Sequence, residues 1–310
     1  ESARFLDPVI RDFYKEKDVV MEERRMRTES NPRGKLVEEF LAVAFKSHPY
    51  KEPVVGHMSD LRGITRDEAV AFFKKYYVPS NLVIAIVGDV EPQEVMRLAE
   101  TYFGRIPSGP KPPEVRTAEP EQKSERKVLL REESQPILLV GYKKGSAMHP
   151  DDAVYDAISD IMSSGRTSRL YKSLVRDKKL AIQSVGFSGF PGQKYANLFA
   201  FFAVPAQGKT NDECLAAINE EIEKIKKEPV SDDELKGVKT RARANLIRSL
   251  ASNAGMAGQL TFYEVITGNW QNLFTQLDNI NAVNTADIQR VANEVFVNSN
   301  RTIGTIEPAK

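Results

Sequence analysis

At 310 residues, with 44 basic and 43 acidic side chains, the chain is long enough for two domains and carries no bulk charge that would recruit nucleic acid or an anionic membrane. Cys214 is its only cysteine, which excludes an intramolecular disulfide and any cysteine-rich zinc site. The longest apolar run, Asn197 to Pro205, is far too short to span a bilayer and reads as a buried strand.

In chain order, Glu1–Arg4 has helical composition interrupted by Pro8, and there is no initiating methionine, so the expectation is a processed or partial chain. A charged helix then runs toward the turn at Asn31-Pro32-Arg33-Gly34. It carries Glu16 and Glu23. Seven residues advance a helix by about 700°, about 20° short of two turns, so both carboxylates lie on one face roughly 10 Å apart. Spacing alone does not set them apart from a solvated face, because Lys15, Lys17, Arg24 and Arg25 are interleaved and can neutralise them.

Lys35–Phe45 returns to helical spacing with Leu36, Phe40, Val43 and Ala44 inward, and His48 and His57 follow in loops. Thr65-Arg-Asp-Glu68 spells a capping box for a helix to Tyr77. The β-branched stretch Asn81–Gly88 predicts a buried strand, and Pro92–Phe103 a further helix. Five prolines between Pro107 and Ser124 mark a semi-extended linker. Beyond it are predicted strands at Lys127–Leu130 and Ile137–Tyr142, a helix from Asp151 to Met162, a basic helix ending near Lys179, and hairpin strands at Gln183–Phe190 and Leu198–Val204. Helices are predicted at Asn211–Lys227, Asp232–Leu250 and Gly255–Thr267.

The end of the chain repeats its first third. Thr65-x-Asp67, a helix, Tyr77-Val-Pro-Ser-Asn81 and a strand recur as Thr285-x-Asp287, a helix, Phe296-Val-Asn-Ser-Asn300 and Arg301–Ile306, an offset of about 220 residues. Projecting that offset from the strands near Lys127 puts the start of the first copy roughly 90 residues before Glu1. The fold class is therefore α+β: two homologous repeats, each a mainly antiparallel sheet packed with helices, the first lacking its opening strands and first helix. Residues 1–106 form the later part of the first repeat, 107–124 the linker and 125–310 the second repeat.

The run Phe13–Glu23, His48-Pro49-Tyr50, the Tyr77–Asn81 helix-to-strand step and Arg169–Arg176 together resemble the pitrilysin/insulinase-type zinc peptidases, in their short bacterial and mitochondrial-processing branch. The resemblance implies hydrolysis of peptides by metal-activated water, with two zinc ligands and a general base from a His-x-x-Glu-His helix and a third ligand from a glutamate farther on. Carried over by motif position, Glu23 is that ligand and Glu16 its support. Arg176 and Gln183 fall where relatives place an Arg and a Tyr that hold the substrate backbone; Gln183 departs from the pattern. None of His48, His57 and His149 lies in a His-x-x-Glu-His arrangement, and the matching helix of the second repeat reads Asp156-Ala-Ile-Ser159-Asp160, with Arg241 or Arg243 near the position matching Glu23. The chain by itself is thus expected to bind no catalytic zinc and to be inactive. The resemblance further implies a peptide substrate, a homodimer or a paired subunit of the same fold, and a periplasmic or envelope location as in exported bacterial relatives. The alternative is a non-catalytic structural or partner subunit of the same fold.

Overall fold

The computed structural model describes residues 1–309. Its first part is helical: α1 (Ser2–Leu6), α2 (Phe13–Arg24), α3 (Pro32–Ala44), α4 (Met58–Gly63), α5 (Arg66–Tyr76) and α6 (Pro92–Phe103). α2 passes into a wider π-helical turn, Arg25–Glu29, before the corner into α3. That corner is fixed locally. The Asn31 side chain accepts from the Gly34 amide at 3.2 Å, and Pro32 occupies a first-turn position whose missing N–H costs nothing. A Cβ at Gly34 would lie 1.8 Å from the Arg27 carbonyl oxygen, so only glycine permits this approach.

The Asn81–Gly88 strand does not form. Residues 82–87 have no strand pairing, and Val83, Ile84 and Ile86 are 39–52% exposed. β-branched composition reports that a segment suits a sheet; it carries no information about whether a neighbouring strand is at hand. Among the described residues of the first part no strand flanks this one.

The second part contains β1 (Arg126–Glu132), β2 (Ile137–Lys144), α7 (Asp152–Ser163), β3 (Ala181–Phe190), β4 (Asn197–Pro205), α8 (Asn211–Lys227), α9 (Asp232–Leu250), α10 (Asn253–Thr267), α11 (Asn272–Ala282), α12 (Thr285–Val295) and β5 (Arg301–Pro308). The sheet order is β1-β5-β2-β4-β3, with β1 parallel to β5 and all other pairs antiparallel. α11 has no counterpart in the sequence reading; its turn pattern is weak between the left-handed Gly268 that ends α10 and the cap of α12. Every residue of β4 is buried, as befits a strand covered on both faces. α7, α8 and α12 cover one face through Ile158, Ile218 and Val291. The other face is covered by α3 from the first part, which sets Leu36, Phe40 and Ala44 against Leu139, Leu198 and Ile306.

The duplication holds at atomic detail. Tyr77 and Phe296 end their helices at φ/ψ of −95°/62° and −87°/61°, each before a short 3-10 turn. Asn81 and Asn300 each donate back to the carbonyl five residues earlier at 3.0 Å. The α2–α3 corner recurs at α9–α10, where Ser252 accepts from Gly255 at 3.1 Å and a Cβ on Gly255 would meet the Ser249 carbonyl at 2.1 Å. One detail of the sequence alignment shifts: Thr65 pairs with Asn284, which caps α12 in a box with Asp287, because Asn caps as well as Thr and stands one residue earlier.

The proline-rich stretch is extended but not a free tether. Glu119 accepts from the amides of Lys46, Ser47 and His48 at 2.8–3.0 Å and pairs with the Lys143 ammonium. Gln122 donates to the Arg301 carbonyl at 2.7 Å. The segment stitches the end of α3 to the sheet.

Candidate functional site

α2 is held by a buried arginine. Arg24, 7% exposed, makes two 3.0 Å bonds to the Glu38 carboxylate on α3, a 2.7 Å bond to the Gly56 carbonyl and a 3.4 Å ion pair to Glu29. A bidentate guanidinium fixes both distance and rotation. Its neighbour Glu23 thereby projects from a rigid helix; it is half-buried and pairs with Arg27 across one helical turn at 2.9 Å. Glu16, two turns earlier, is exposed and forms no ion pair among the described residues. α2 packs on the Arg25–Glu29 turn and on α4.

The histidines have other tasks. His48 is buried, accepts the Tyr50 amide on Nδ1 at 3.1 Å and packs against Tyr50 and Tyr195; burial pushes its pKa down. His57 lies 3.3 Å from Glu52, and His149 accepts from the Asp151 amide. Among the described residues no three His, Cys, Asp or Glu side chains converge as a metal site would require. This donor set does not by itself fit a catalytic zinc, so no catalytic step is routed through one.

Arg176 ends the π-helical segment Tyr171–Asp177, exposed and bidentate to Asp177 at 2.6 and 2.9 Å. Gln183 is exposed on β3, the edge strand, opposite Val204. Both flank the turn into β3, whose free edge offers unpaired backbone groups.

In the second part, Asp160 of α7 accepts from Arg241 of α9, with the Nε bonds at 2.9 and 3.0 Å. The two helices are thus tied by an ion pair. Aligned on the Gly34 and Gly255 corners, Glu23 falls opposite Ala244, so neither Arg241 nor Arg243 replaces it directly. Beside that pair, Asp156 lines a recess. Asp156 is open to solvent through the mouth of the recess, yet the enclosing walls, then the charge of Asp152, push its carboxyl up to about 7, with Lys144 opposing. The sequence marks Arg24 only as one interleaved charge of α2 and Asp156 only as part of a helix without histidines; neither the Arg24–Glu38 clamp, the anchoring of Glu119 nor the recess beside Asp156 carries a local signal.

Comparison with known proteins fits this geometry. A family profile described as the peptidase M16 inactive domain matches residues 63–242. The zinc protease PqqE of Helicobacter pylori is 30% identical over 305 residues, covering 96% of this chain. The chain belongs to the M16 peptidase family. This is the pitrilysin/insulinase type that the Glu16–Glu23 helix and the duplication suggested. Within the M16 family, an uncharacterized zinc protease of Mycobacterium leprae is 23% identical over 92% of the chain. A protease from Helicobacter pylori of known structure superimposes with a TM-score of 0.91 at 28% identity, over 97% of this chain and 73% of that one. The chain spans 67% and 64% of the length of the H. pylori and M. leprae proteins. Among the described residues no helix is long and apolar enough to cross a membrane.

Proposed function

We propose that this chain is part of an M16 zinc-dependent endopeptidase or oligopeptidase that hydrolyses peptides, in which Glu23 is a zinc ligand and Glu16 supports it. The observation that carries the reading is the Arg24–Glu38 clamp, which immobilises the helix presenting Glu23 while leaving that carboxylate only a surface partner. The names of its relatives as zinc proteases agree with it. Residues 1–106 then belong to the catalytic repeat, 107–124 to the connection and 125–310 to a non-catalytic repeat whose Arg176 and Gln183 hold substrate main chain. The remaining ligands come from polypeptide outside these residues, and a homodimer or a second subunit of the same fold completes the enclosure.

Glu23→Gln in the protein as the cell makes it should abolish stoichiometric zinc and peptide cleavage together, while Glu22→Gln leaves both intact. Zinc content unchanged by Glu23→Gln would sink the assignment. The second reading, a non-catalytic partner subunit, is favoured by the Asp160–Arg241 pair and by the inactive-domain description of the matching profile. A cell-derived protein with no zinc and no cleavage, yet bound to a catalytic subunit of the same fold, supports that reading.

A further inference from the structure

Between α7, α9, α10 and α11 lies a recess of about 790 Å³, within the range of ligand pockets. Its wall carries the carboxamides of Asn245, Gln259, Gln276 and Asn279, the Tyr263 phenol and carboxylates from α7 and its approach. The carboxylates are unequally matched. Asp151 pairs with Arg290 at 2.5 Å, Asp152 with Lys144 at 3.4 Å and Asp160 with Arg241, while the Asp287 carboxylate accepts from the Asn284 amide in the cap of α12 and lies 3.8 Å from Arg290. Asp156 faces the recess with no ion pair or hydrogen bond among the described residues. The four carboxamides likewise make no side-chain hydrogen bond among the described residues; Gln259 is half-buried, and Asn245, Gln276 and Asn279 are exposed at the rim, where a ligand would displace water from them.

We propose that this recess binds the arginine or lysine side chain of a peptide, Asp156 pairing with the cation and the surrounding carboxamides with the peptide's main chain. A carboxamide offers one acceptor and two donors, which matches a peptide group, and a guanidinium matches a carboxylate in bidentate geometry. A free organic cation would satisfy Asp156 and leave the carboxamides idle. The inference involves neither Glu23 nor a metal and so stands apart from the peptidase reading.

Calorimetric titration of the chain at about pH 8, above the range in which Asp156 titrates and with a chelator present, tests it. The probes are an acetylated, amidated Ala-Ala-Arg-Ala-Ala peptide, its neutral citrulline counterpart and agmatine. The arginine peptide should bind saturably at one site, and both the citrulline exchange and Asp156→Asn should weaken it at least about tenfold. Agmatine should bind more weakly than the peptide. Absence of saturable binding, equal affinity for the citrulline peptide, or indifference to Asp156→Asn overturns the proposal; agmatine binding as tightly as the peptide overturns its main-chain half. The citrulline comparison needs no variant, so a misfolded Asp156→Asn leaves the test intact.

Discussion

Phe40 of α3 fills the space that a side chain on Gly304 of β5 would need: its Cδ2 lies 2.9 Å from where a Cβ would stand. The ring is fully buried. Phe40→Ala should cost about 3–5 kcal/mol in urea unfolding, through lost transfer energy and a cavity. Gly304→Ala, by overpacking, should cost about 1–3 kcal/mol. The double variant should cost less than the sum, because the cavity accepts the added methyl. Strict additivity would show that the two residues do not compete for one space.

Glu119 should make stability acid-sensitive. Burial alone would raise its pKa, but Lys143 and the three amides of Lys46, Ser47 and His48 more than reverse this, to about 2 from an ordinary 4.5. A depressed carboxylate contributes stability that is complete above its unfolded pKa and is lost as pH falls toward the folded value. The urea midpoint should therefore drop between about pH 4.5 and 2, and Glu119→Gln should flatten that drop at a cost of about 1–3 kcal/mol near neutrality. Parallel profiles for the two proteins would contradict the clamp.

Asp156 has the opposite sign. Its folded carboxyl keeps a proton up to about 7, against an ordinary 3.8. The native state then binds more protons than the unfolded chain between those values, so stability falls as pH rises through this window. Asp156→Asn should be indistinguishable from the parent near pH 4 and more stable above about 7. A variant less stable at neutral pH would show that the charge is matched after all.

Arg24→Met should free α2. The change strands the Glu38 carboxylate, and breaking a pair of this burial costs about 3–5 kcal/mol. Hydrogen exchange in Glu16–Arg25 should accelerate relative to α7. Unchanged protection would mean that α2 is held by something other than the guanidinium.

Much of this fold is legible in the residues. The capping box at Thr65–Glu68 and the helices at Asn211–Lys227 and Asp232–Leu250 follow from local chemistry, and they form as spelled. What local chemistry omits is company. Val83, Ile84 and Ile86 have the composition of a core strand, yet a strand exists only beside another. Glu119 is one acid in a proline-rich run, and nothing nearby in sequence says that it reaches three amides far upstream. Glu23 is marked out by resemblance, whereas Arg24, which orients it, looks like one more charge on a charged helix.

The placement of α3 has a consequence for ancestry. A duplicated unit normally remains portable, each copy closing on its own core and tolerating change without regard to its twin. Here a helix of one copy roofs the sheet of the other, so Phe40 and Gly304 answer to the same selection although they descend from different copies. Substitutions at the two should covary across relatives, and recombination that exchanges one copy alone should yield chains that do not fold.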